Sequence, residues 1–156
     1  LGDVSLLLSD KQFADTLAMH PNLQVYRIID DDIARIMHCH VFYKGLIVFS
    51  SNYLMNRGKL HPAFFCNDPA NIVGIDIDLN PKISSKSAIA IAHRAANFRH
   101  NCTRFQLGIY NIHCGISGAL AEYKLVWNIT ADGGLPAVML DAQTGNIVKL
   151  EDGIFH

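Results

Sequence analysis

The sequence predicts an α+β protein made of two small subdomains, each a helix followed by an antiparallel sheet. Three observations predict it. Residues 119–149 read as one meander, the clearest helix in the chain follows Ser84, and a shorter helix near residue 10 precedes a second set of strands. With 156 residues, 50% of them hydrophobic, the chain can bury a core as one ordinary domain or two small ones. A disordered chain is excluded on that composition.

The elements are justified in order. Ser9, with Gln12 three residues on, has the pattern in which an N-cap hydroxyl and an N3 side chain satisfy each other's backbone amides. Phe13, Leu17 and Met19 then line one helical face, and His20-Pro21-Asn22 ends the helix. Leu23, Val25 and Ile28 mark a strand, followed by a solvated turn at Asp30-Asp31-Asp32. Three consecutive carboxylates do not converge on one calcium ion without further oxygen ligands.

Ile33–Tyr43 reads as a strand, Lys44-Gly45 as a turn, and Leu46–Phe49 as its return. A turn at Asn56-Arg57-Gly58 leads into Lys59–Phe65, and Ile72–Ile77 is expected as an edge strand. Asp78-Leu79-Asn80-Pro81 is the expected seam between halves. Beyond it Ser84 is an N-cap, and Ala88, Ile91, Ala92 and Ala95 give a narrow apolar stripe suited to close approach to a sheet. Phe105–Asn111 is a short strand.

In the meander, Leu120, Tyr123, Leu125, Trp127 and Ile129 form a long strand. Asp132-Gly133-Gly134 supplies a hairpin turn. Leu135–Leu140 returns, Asp141-Ala142-Gln143-Thr144-Gly145 turns again, and Ile147, Val148 and Leu150 close a third strand.

A formal net charge of −1, with no basic run, argues against nucleic acid as a partner. No apolar stretch approaches the roughly 20 residues of a membrane span. Leu6-Leu7-Leu8 is too short, and lacks the basic flank, for a signal peptide. Cys39, Cys66, Cys102 and Cys114 lack zinc-ribbon or redox-dithiol spacing, which leaves two structural disulfides or buried thiols. Three full pairings are possible. A division near residue 80 favours Cys39 with Cys66 and Cys102 with Cys114, each bridge inside one half, if the compartment is oxidising.

His38 and His40 share a strand face, which is necessary for a common metal and far from sufficient. There is no His-Glu-x-x-His pair. His113 and Cys114 are adjacent, so a strand would point them apart, against a nucleophile–base contact. The expectation is a chain without catalytic residues. Asn101-Cys102-Thr103 and Asn128-Ile129-Thr130 are glycosylation triplets, the second placed mid-strand.

Pro81–Ala92, then Glu122-Tyr123-Lys124-Leu125, then Val138–Val148 together resemble a PepSY domain. Phe42-Tyr43-Lys44-Gly45-Leu46-Ile47-Val48-Phe49 and Gly58-Lys59-Leu60 resemble the fungalysin/thermolysin propeptide domain. In order, they look like the pro-region of a thermolysin-like zinc metalloprotease of the vibriolysin/pseudolysin type. The pattern departs at His38-Cys39-His40, where the family has Gln, and at Ile47, where it often has Pro. No partner-contact residue is carried over from that strand.

The resemblance implies two cystatin-like subdomains: residues 1–80 as the propeptide-like domain, 81–150 as the PepSY-like domain, and 151–156 as a tail to a processing site. It implies an intramolecular chaperone and inhibitor whose partner is the protease catalytic domain. Zinc and calcium belong to that partner, with no cofactor in this chain. The protein would be secreted or periplasmic after loss of a signal peptide. Gly153-Ile154-Phe155-His156 would offer apolar anchors to a substrate groove, with the His156 carboxylate near the partner's zinc. The alternative is a free-standing PepSY-type protease inhibitor or cell-envelope binding module.

Overall fold

The computed structural model describes residues 11–30, 35–57, 59–63, 66, 68–70, 72–98 and 103–152. Within them the chain is α+β, with two helices and eight strands whose pairings given below are antiparallel. It divides into two compact units, residues 1–75 with 113–121, and residues 76–112 with 122–156. The expected seam at 78–81 therefore lies inside the second unit. Segment 113–121, expected in the second half, belongs to the first.

In the first unit, helix α1 spans Lys11–Met19. Phe13 is fully buried and Leu17 half-buried, but Met19 is 72% exposed, so the apolar face stops short of the helix's last residue. Strand β1 is Leu23–Asp30, β2 Arg35–Tyr43, β3 Leu46–Asn56 and β4 Lys59–Pro62. β2 lies between β1 and β3, and β4 pairs with the far end of β3. Met37, Cys39 and Val41 alternate along β2 and are fully buried, as a half-buried strand requires. The turn into β3 places both Lys44 and Gly45 at positive φ, the geometry of a twist-matched two-residue hairpin.

β3 runs seven residues further than its expected end at Phe49, to Asn56. His40 pairs with Asn52 but Val41 pairs with Val48, so residues 49–51 stand out of register. Ser50 and Ser51 are buried there. β4 ends at Pro62, with Ala63 N still donating to Asn52 O on β3 at 2.8 Å; Phe64 and Phe65, the end of the expected strand, lie outside the described residues. The expected strand at Ile72–Ile77 is absent: Ile72 is buried, Val73 is 83% exposed, and Gly74 takes a positive φ that breaks strand alternation.

In the second unit, helix α2 spans Ser85–Ala95, and strands β5 Thr103–Asn111, β6 Tyr123–Ala131, β7 Ala137–Asp141 and β8 Ile147–Glu151 pair in sequence order. Ser84 caps the helix, its Oγ accepting from the Ser87 amide at 3.2 Å. Ala88 and Ala92 are fully buried against Ile129, Val138 and Leu140. Small residues on the helix admit the larger ones on the strands. Leu120 is 88% exposed and lies outside β6.

Candidate partner-binding face

The turn expected at 141–145 is the centre of a hydrogen-bonded knot that sets where α2 begins. Asp141 Oδ1 accepts from the amides of Gln143 at 2.8 Å and Thr144 at 3.2 Å, while Oδ2 receives Lys124 Nζ at 3.2 Å. Burial alone would raise the Asp141 pKa; the two amides and Lys124 outweigh it and hold the carboxyl below its usual range. The Ala142 carbonyl accepts from Lys82 N and Ile83 N, and Ala142 N donates to Leu125 O. Gln143 Nε2 donates to the carbonyls of Asp78 and Asn80. Trp127 Nε1 donates to Ile83 O at 2.7 Å.

These bonds tie the approach to α2, the β7–β8 turn and β6 into one body. The Gln143 and Trp127 contacts carry no sequence signal, because each partner is a distant backbone carbonyl.

Side chains facing away from α2 form the other surface of this sheet. Ile129, Val138 and Leu140 point to the helix, so by strand alternation Asn128, Thr130, Ala137 and Met139 point away. Together with Gly134, Lys149 and Glu151 they line a cleft of about 190 Å³. Lys149 Nζ lies 2.6 Å from Glu151 Oε1. That hydrogen bond chiefly raises the Lys149 pKa, against burial, with the charges of Glu151 and Tyr110 adding to it. The cleft therefore presents amide, hydroxyl and thioether groups beside the Lys149–Glu151 ion pair. Sequence reading missed it because its residues come from three strands and a hairpin.

The cysteines correct the expected pairing. Cys66 is bonded to Cys114, and Cys39 is a free, fully buried thiol. The expected Cys39–Cys66 bridge fails because segment 113–121 belongs to the first unit, bringing Cys114 to Cys66. Cys102 lies outside the described residues. Burial pushes the Cys39 thiol up to about 11. Cys114 is held in its bridge beside His113, whose Nδ1 lies 2.8 Å from the Leu120 carbonyl oxygen.

His38 and His40 do share a face, and Tyr26 covers both. Its ring stacks on His40 at 3.8 Å and meets His38 edge-on at 5.8 Å. His40 Nδ1 is 2.6 Å from Asn52 Oδ1, an acceptor, so the proton sits on Nδ1. Burial lowers the His40 pKa, partly offset by the Asn52 bond. Among the described residues no three His, Cys, Asp or Glu side chains group closely enough for a metal ion. Asp30 pairs with Arg35 at 3.0 Å; Asp31 and Asp32 lie outside the described residues, as do Asn101 and the tail Gly153, Ile154, Phe155 and His156. Asn128 and Thr130 line the cleft.

Comparison with known proteins adds little at the level of sequence: no family model matches. No curated protein matches. Among solved structures, the C-terminal domain of YpeB from Bacillus megaterium is similar at 15% identity with a TM-score of 0.43, over 96% of this chain. This chain spans 65% of that one. Among the described residues no helix is long and apolar enough to cross a membrane, and the disulfide fits an oxidising compartment.

Proposed function

We propose that this chain is the pro-region of a secreted or periplasmic thermolysin-like zinc metalloprotease, without catalytic activity of its own, acting first as folding template and then as inhibitor. On this reading each unit is a cystatin-like subdomain. One observation carries the proposal: the three motif segments at 81–92, 122–125 and 138–148, separated in sequence, lie in a single unit around the Asp141 turn. That turn orients α2 on one side of the sheet and leaves the cleft on the other.

The physical mechanism is differential binding. A surface that binds the native-like protease and not its unfolded chain stabilises the folded form by mass action, and contacts already made in the transition state speed its formation. Covalent linkage raises the local concentration, so modest contacts suffice. After cleavage the same contacts inhibit. On this reading the cleft and the tail that follows β8 both address the partner. There the His156 carboxylate would offer oxygen to the open coordination position of the partner's zinc.

The test is refolding in trans. The denatured catalytic domain encoded with this chain is diluted from denaturant with and without it, and active protease is titrated. The proposal expects a higher yield of native protease that is then inhibited by excess chain. Equal yields and no inhibition would reject it.

A further inference from the structure

The connection between β5 and β6 is far longer than a hairpin needs. Its ends are closed by Ile112 N donating to Glu122 O at 2.9 Å and Glu122 N to Asn111 Oδ1 at 3.2 Å. Between them every residue from 115 to 122 is exposed and belongs to no helix or strand, the longest such run among the described residues. It carries Leu120 and Ile116, 88% and 58% exposed. Gly115 and Gly118 sit at positive φ with open space where a Cβ would stand.

The hydrogen bonds seen within residues 115–121 are local ones, although the segment as a whole groups with the first unit. Ile116 N donates to His113 O, Ala119 N donates to Ile116 O at 3.3 Å, and His113 Nδ1 meets Leu120 O. Opening residues 115–121 into an extended strand breaks these and leaves the β5–β6 ladder and the Cys66–Cys114 bridge intact. Such local opening takes a small fraction of the global unfolding free energy. Exposed loop tips of small residues are where folded chains are first nicked. The other long irregular stretch, 72–82, is held at several points: Ile72 is buried, and the carbonyls of Asp78 and Asn80 each accept from Gln143.

We propose that residues 115–122 are the site where an endopeptidase selective for large apolar side chains first cuts this folded chain, at the Ala119–Leu120 bond. Water adds to the Ala119 carbonyl carbon and the C–N bond breaks. Ala119 becomes a carboxylate, and the Leu120 nitrogen, taking a proton, leaves as a new chain terminus. The site is independent of the pro-region reading. If that reading holds, it is also where the inhibitor is first broken.

The disulfide supplies a readout. Cys66 and Cys114 both precede the cut, so its two fragments separate on a denaturing gel without reductant. A cut anywhere between 67 and 113 leaves them joined. The oxidised chain is digested briefly with a low ratio of thermolysin, or of chymotrypsin, and the first new terminus inside residues 11–152 is sequenced. Expected are fragments that part without reductant, with thermolysin giving Leu120 as the new N-terminus and chymotrypsin cutting within the same segment. An Ile116→Gly, Leu120→Gly variant of unchanged melting temperature should be cut there at about a tenth of the wild-type rate or slower. A first cut elsewhere in 11–152, or an undiminished rate in the variant, overturns the proposal.

Discussion

Gly145 shows how a single position can be fixed by its neighbours. Its φ is +79°, and a Cβ there would lie 3.2 Å from Ile91 Cδ1 on α2. Gly145→Ala should cost about 1–2 kcal/mol through the left-handed backbone alone, read as a lower urea midpoint with unchanged slope. Trp127→Phe leaves the Ile83 carbonyl without its 2.7 Å donor and should cost about 1–2 kcal/mol on the same assay. At His40 the sign of the pH effect follows from its lowered pKa. Below the unfolded value of about 6.5 the unfolded chain takes up a proton that the folded chain resists. The stability His40 contributes is thus present above that pH and lost as pH falls through its folded pKa. Denaturant melts of wild type and His40→Gln between pH 7.5 and 5 should show a shallower decline in the variant. Asp141, also lowered, acts in the more acidic range, with its contribution present above the unfolded carboxylate pKa and lost as pH falls through the folded one.

At the scale of elements, α2, its Ser84 cap and the turns at 44–45 and 141–145 were legible because each rests on chemistry within a few residues. Positive φ, a capping oxygen and a helical stripe are local signals. β3 beyond Phe49 was not legible: Ser-Ser-Asn interrupts the apolar run, yet the register shift at 49–51 buries both serines and carries the strand on. Ile72–Ile77 fails for the opposite reason. Its alternation looks like a strand, but Gly74 turns the backbone away. Ser84→Ala should cost about 1 kcal/mol, seen as a matching fall in the denaturant midpoint, since the Ser87 amide loses its acceptor.

At the scale of the whole molecule, the largest departure from sequence reading is the assignment of 113–121 to the first unit. Pairing of distant cysteines depends on such topology, and spacing alone carries no trace of it. Peptide mapping under non-reducing conditions should recover one species joining Cys66 and Cys114, with Cys39 labelled by maleimide only after unfolding. The cleft was likewise invisible, being assembled from β6, β7, β8 and a hairpin. What the sequence did carry was the order of motifs that the second unit gathers around one turn, and the pro-region proposal stands on that order.

The most direct measurement is to sequence the encoding frame past His156. The pro-region account predicts continuation into a second domain carrying His-Glu-x-x-His and a downstream Glu to complete a zinc site. A stop codon directly after His156 would contradict it and favour a free-standing inhibitor or cell-envelope module.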